Sequence, residues 1–315
     1  MTPEEFFEEI KRGARQRYAF VLGNGINYHL KNSAVSWNDL LEEFLERKPS
    51  VKIDFTRDKG VTSPEAANLL ELMIDIDAGG KSRAAAVRKE LMRFLKERLD
   101  SDAPKRCALL DAAWEKHHIL TTNFDENIEK YIGKSNDMEL VSHKTPASPA
   151  AKGKRGGNSY LWNSFWGAAN CPEVSDSGDL HNDIWHIHGK LDDRSSPTVL
   201  FSLTRYVNAI KQVEQWGLAS EPNWPGRNTW VNIFYNLPLI VAGLGLTDQE
   251  VFLRTLLIER KRHWRKSEGK KEPQSYYLVR KDDKPESDGR LFLRALGFKV
   301  VEFDNSEDLY NNKNW

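Results

Sequence analysis

Six short apolar runs constrain this chain more than any other feature: 18–22 (YAFVL), 117–121 (HHILT), 184–188 (IWHIH), 238–242 (PLIVA), 275–279 (SYYLV) and 298–303 (FKVVEF). Each run is nearly continuous in apolar character instead of alternating. A parallel sheet covered on both faces requires this, because successive side chains point to opposite sides and both sides are buried. Helical patterns lie between the runs. Residues 37–47 (WNDLLEEFLER) put Trp37, Leu40, Leu41 and Phe44 on one face, and 84–99 do the same with Val87, Leu91, Phe94 and Leu95. A further helical pattern, 248–264, follows the fourth run directly. The chain is expected to be α/β, with a doubly wound, mostly parallel six-stranded sheet.

The spacing of the runs is uneven. Nearly a hundred residues separate the first from the second, and they read as several helices (37–47, 64–77, 83–98 and 104–116) instead of one crossover. We expect a Rossmann-like sheet carrying an inserted helical module over about 37–116. A second stretch, 142–183, is rich in Pro, Gly, Ser and Lys and reads as an irregular, exposed excursion. With 315 residues, 39% of them hydrophobic, one large core is affordable, and a single domain over 1–315 is expected. Lys plus Arg and Asp plus Glu both number 46, a balance that disfavours direct nucleic-acid binding. The two cysteines, Cys107 and Cys171, cannot build a Cys₄ or Cys₂His₂ zinc site alone. The N-terminus lacks a signal-peptide core, and Thr2 with Glu5 suggests the capping box of a first helix. No run approaches membrane-spanning length, so a cytoplasmic protein is expected.

Four stretches carry residues with chemical potential, each at the end of an expected strand. Gly23-Asn24-Gly25-Ile26-Asn27 turns out of the first strand towards a helix. Glycines there let backbone approach a phosphate, although Tyr28 stands where a dinucleotide fingerprint has its third glycine. Asn123 and Asp125, in TTNFDENIEKY, follow the second strand; either is also a plausible helix cap. His186 and His188 are placed on one face of the third strand, with His188-Gly189 at its rim. His186 reads as a packed or hydrogen-bonded histidine, and His188 as the better general-base candidate. A third zinc ligand at suitable spacing is not evident. Gly243 and Gly245, in LIVAGLGLTDQEVF, bring backbone close to something, while Thr247 and Glu250 have capping-box spacing.

Taken in order, these stretches resemble the sirtuin family: a G-x-G turn, a T-x-N-x-D stretch, an H-G pair, then a glycine turn opening a helix. The resemblance runs from about residue 18 to 305. The departures are informative. Asn24 and Asn27 stand where protein-deacylating sirtuins have Ala and Ser, Thr122 replaces Gln, SAVSWNDLLEEF takes the place of a P-D-F-R stretch, and the four-cysteine zinc ribbon is absent. The variants are similar to the bacterial sirtuin-like branch that hydrolyses NAD+ in anti-phage defence, such as Thoeris and defence-associated sirtuin effectors.

The resemblance implies an NAD+ hydrolase that releases nicotinamide and ADP-ribose, with NAD+ as substrate and no metal. It implies that Asn123 and His188 are catalytic, Asn123 holding the ribose or the attacking water and His188 orienting or deprotonating a hydroxyl or that water. Asp125 would hold the carboxamide. Gly23, Asn24 and Gly25, with Asn27, would seat the pyrophosphate, and Gly243, Gly245 and Asp248 would line the adenosine side. Tyr206 resembles a tyrosine common in this branch. A protein deacylase and a non-catalytic NAD- or ADP-ribose-sensing module remain as alternatives. A toxic hydrolase has to be held silent, so a homo-oligomer, or an activating or sensing partner protein encoded nearby, is expected. The Trp-rich stretch 214–235 (Trp216, Trp224, Trp230) and the 142–183 excursion are candidate contact surfaces.

Overall fold

A computed structural model describes residues 1–13, 15–31, 39–40, 43–44, 81–99, 105–136, 140–144, 163–167, 183–191, 200, 203–215, 229–246, 250–267, 271–283 and 289–315. The six apolar runs are strands: β1 (Ala19–Leu22), β2 (His118–Thr121), β5 (Asp183–His186), β6 (Leu239–Ala242), β7 (Tyr276–Arg280) and β8 (Lys299–Phe303). All six are parallel, in the order β5-β2-β1-β6-β7-β8. Two further strands, β3 (Leu140–Lys144) and β4 (Asn163–Gly167), form an antiparallel hairpin that extends the sheet beyond β5. The 142–183 excursion is therefore not irregular throughout. Two short runs within its Gly/Pro/Ser-rich composition pair with each other, and the second also pairs with the edge of β5.

The alternation along each strand sorts the core into two layers. In β1, Phe20 and Leu22 face one side, while Ala19 and Val21 face the other. The first layer packs α1 (Pro3–Arg12), α2 (Gly25–Lys31), α4 (Ala108–Lys116), α5 (Asn127–Ser135) and α10 (Ser306–Tyr310) on the sheet. The second packs α6 (Leu203–Gln215), α7 (Trp230–Asn236), α8 (Val251–Lys266) and α9 (Gly289–Ala295). Each fully buried Phe or Leu in these layers contributes roughly 1.5–3 kcal/mol of transfer free energy. Thr2 and Glu5 form the expected capping box on α1. Trp230 is buried in the second layer, whereas Trp216, Trp224 and Cys171 lie outside the described residues. Cys107 is a buried free thiol. Of the expected helical insertion, α3 (Lys81–Leu99) and α4 are described; most of 37–47 and all of 64–77 lie outside the described residues.

Register places the site. Across four adjacent strands, His186, Thr121, Leu22 and Ala242 stand in one row. The stretches that follow these four residues therefore leave the sheet side by side at its carboxyl edge. The chain winds from β1 through β2 to β5 in one direction and from β6 through β7 to β8 in the other. The order reverses between β1 and β6, and such a switch point is where open α/β sheets bind their ligands.

Candidate active site

The two glycine turns are packed against each other. Gly25 N–H donates to Gly243 O at 2.9 Å, and Gly23 N–H donates to Ala242 O at 3.1 Å. A Cβ on Gly23 would lie 2.4 Å from the Leu244 side chain, and one on Gly25 would lie 2.5 Å from the Gly243 Cα. Gly243 adopts φ +68°, and a Cβ there would meet Ile26 N at 2.9 Å. What Gly243 approaches is thus the first turn, and this contact joins β1 and β6 across the switch point. Gly245 turns away from it, with its carbonyl beside Gly289 and the Tyr277 hydroxyl. Asp248 and Thr247 lie outside the described residues. Helix α8 begins only at Val251, with Glu250 at its cap position and no side-chain cap bond. The expected Thr247–Glu250 capping box includes Thr247 and so lies outside the described residues.

A buried polar net ties the first turn to the stretch that follows β2. Asn27 Nδ2 donates to Asp125 Oδ2 at 2.7 Å and to Asn24 Oδ1 at 3.2 Å. Asn27 Oδ1 accepts from Asn127 Nδ2 at 3.2 Å. Asp125 Oδ1 accepts from Asn127 N–H at 3.1 Å, so Asp125, one position before the Glu126 cap, holds the first residue of α5 as well as gripping α2. Burial pushes the Asp125 carboxyl up from its ordinary value, against the pull of these two hydrogen bonds.

Asn123 is held from three directions. Its N–H donates to Thr121 Oγ1 at 3.1 Å, its Nδ2 to Gly23 O at 3.2 Å, and its carbonyl accepts from His186 Nδ1 at 2.8 Å. The remaining polar atom, Oδ1, has no partner among the described residues. His186 in turn meets the Glu129 carboxylate through Nε2. It is the hydrogen-bonded histidine that the sequence suggested.

His186 and His188 do not share a face. His186 reaches the α5 layer, whereas His188 lies against Tyr206 of α6 and Phe252 of α8, at ring distances of 5.5 and 5.4 Å. The strand ends at His186, and Gly189 N–H closes a turn on His186 O at 3.0 Å, with Gly189 at φ +82°. Alternation holds only for extended backbone, and residue 188 is already in the turn. Leu191 N–H donates to Phe124 O at 2.9 Å and pins this turn to the Asn123 segment. His188 is 4% exposed, and its Nε2 has no hydrogen-bond partner among the described residues. Burial alone pulls its pKa down to about 3, so the ring is neutral.

Glu250 was legible only as a cap. Its charge is felt by the Tyr206 hydroxyl, and burial pushes its own carboxyl up to about 7. The sequence spacing around Glu250 carried no signal of this. Glu129 was missed for the same reason. Among the described residues, no group of three or more His, Cys, Asp or Glu could hold a metal ion, and no helix is long and apolar enough to cross a membrane.

The site thus collects Gly23, Asn24, Gly25, Asn27, Asn123, Asp125, His188 and Gly243 at one edge of the sheet, with Gly245 at its border. No curated protein matches the chain. The model of the SIR2-like domain matches residues 117–301, more than half of the length, taking in Asn123, Asp125, His188 and the second glycine turn but not the first. The chain belongs to the SIR2-like domain family.

Proposed function

We propose that this chain is an NAD+ glycohydrolase that releases nicotinamide and ADP-ribose, an effector that depletes NAD+ in phage-infected cells. SIR2-like domains use NAD+. The observation that carries the hydrolase is a pair of polar atoms at the carboxyl edge of the sheet without a partner among the described residues: Asn123 Oδ1 and the buried Nε2 of His188, an acceptor when the ring proton sits on Nδ1. An orphaned buried nitrogen costs about 1–3 kcal/mol, and a ligand that donates a hydrogen bond removes that cost. NAD+ fits the residues present. Its ribose hydroxyls are donors for such acceptors, and its pyrophosphate would meet the first turn without the N–H groups of Gly23 and Gly25, which are bonded to Ala242 O and Gly243 O.

Cleavage of the nicotinamide–ribose bond develops positive charge on the ribose and expels a neutral leaving group, so the site needs no strong general acid. Its work is orientation. Asn123 Oδ1 accepts from a ribose hydroxyl or the attacking water. His188, neutral and with a depressed pKa, acts as an acceptor that orients this hydroxyl or water; so low a pKa makes it a weak base. Asp125 has given each carboxyl oxygen one partner within the protein, and each keeps a further lone pair for the carboxamide. Gly23, Asn24, Gly25 and Asn27 border the pyrophosphate, and Gly243 and Gly245 the adenosine; Asp248, outside the described residues, is assigned to the adenosine side by the resemblance alone. Activation by self-assembly or by a partner protein encoded nearby belongs to the same proposal.

The test is nicotinamide release from NAD+, followed by chromatography over a range of protein concentrations. The parent is expected to release nicotinamide, and Asn123→Ala and His188→Ala to abolish release with the fold intact. Normal turnover by both variants would overturn the assignment.

A further inference from the structure

Beneath Asn123 lies a buried ion pair that no step above uses. His186 Nε2 meets Glu129 Oε1, and the two side chains are 0% and 6% exposed. A carbonyl oxygen can only accept, so His186 Nδ1 carries the proton of its bond to Asn123 O. His186 Nε2 and Glu129 then share one further proton. Burial pulls the His186 pKa down, but Glu129 and the Asn123 carbonyl outweigh it and raise the pKa above its ordinary value. Lys190, from the turn after β5, opposes this weakly and is itself paired with Glu126 at the start of α5.

As a stabiliser the pair is a poor choice. Glu129 Oε2 has no hydrogen-bond partner among the described residues, and a buried ion pair is often matched or bettered by apolar side chains of similar volume. What the pair does have is a direction. It ends on the Asn123 carbonyl, while the Asn123 N–H and side-chain amide bond to Thr121 and Gly23. Three strands therefore fix one residue, and the link from β5 is the one routed through an ionisable bridge.

We propose that Glu129 and His186 are positioning residues for Asn123: their bridge clamps its carbonyl so that the amide stays bonded to Gly23 and Oδ1 is left for the substrate. This rests on the NAD+ cleavage proposed above. Neither residue touches substrate; both act through Asn123.

The experiment compares the parent with Glu129→Gln and with the double variant His186→Phe/Glu129→Leu. In Glu129→Gln, a neutral imidazole keeps its Nδ1 proton on the Asn123 carbonyl, and the Gln amide donates to Nε2, so most of the kcat is expected to survive. The double variant replaces the pair by apolar groups but also leaves the Asn123 carbonyl without its His186 donor, so its unfolding midpoint is read alongside and it is expected to remain folded. Its kcat is expected to fall about 100-fold, the scale of an ångström's misplacement, with KM little changed. The side-chain amide resonance of Asn123 in nitrogen-15-labelled protein, assigned by its loss in Asn123→Ala, gives a readout free of turnover. It is expected to move in the double variant and to stay in Glu129→Gln. A double variant with parental kcat, or with an unmoved amide resonance, would overturn the positioning role. A parent that releases no nicotinamide at any concentration would instead count against the hydrolase, and the amide resonance would still decide the role of the pair.

Discussion

His188 is held neutral inside an aromatic cage, and acid should therefore work against the fold at this residue. The folded-state pKa is about 3, below the ordinary 6.5. The unfolded chain binds the proton first, so stability is complete above pH 6.5 and is lost as pH falls towards the folded value. At pH 5 the difference is about 2 kcal/mol, from 1.5 pH units at 1.36 kcal/mol each. His188→Phe removes this titration and the orphaned Nε2 together. Its stability relative to the parent should therefore be greater at pH 5 than at pH 7.5 by about 2 kcal/mol. For 315 residues that is about 3 °C in Tm. The assay is denaturant or thermal unfolding of both proteins at both pH values. Any steric misfit of the larger ring cancels in the difference, and His188→Ala, which leaves a cavity instead, should show the same pH-dependent gap. The hydrolase proposal adds that the stabilised His188→Phe protein is inactive. An equal parent-to-variant gap at pH 5 and pH 7.5 would mean that His188 titrates normally, and the neutral-acceptor role would fall with it.

Three other perturbations test the surroundings. Gly25→Ala puts a Cβ 2.5 Å from the Gly243 Cα, backbone against backbone, and should cost about 1–3 kcal/mol or more in unfolding experiments; parental stability would refute the packing of turn on turn. Asp125→Asn keeps the shape but turns an NH₂ towards Asn27 Nδ2 or Asn127 N–H, and should cost about 1–3 kcal/mol at pH 7, read from denaturant midpoints. Glu250→Gln addresses a carboxyl raised to about 7, which the folded state prefers protonated. The parent therefore loses stability as pH rises from the ordinary carboxylate range to about 7, and the Gln variant should gain at most about 3 kcal/mol at pH 8 but less than about 1 kcal/mol at pH 5.

The six parallel strands were legible because a strand buried on both faces must be apolar at nearly every position, and short runs with that property are few. The capping box of Thr2 and Glu5 was legible because it is made within four residues. The hairpin of β3 and β4 was not, because a two-stranded addition draws its stability from the edge it joins more than from its own pattern. His188 was found from its place before Gly189, yet its orientation was misjudged, since the strand ends two residues earlier than the apolar run suggests.

By itself, the sequence determined which segments become buried strands and that each of four motifs follows one of them, because both depend on local periodicity and turn chemistry. Only the tertiary structure decided what those motifs touch. Strand order and register bring Gly25 to Gly243, Asn27 to Asp125, and Glu129 through His186 to Asn123. These contacts join residues tens to hundreds of positions apart, and remote segments pack against His188 and Asp125, whose burial shifts their pKa values. Hydrogen bonding and desolvation act over a few ångströms of space, and distance along the chain carries no record of them.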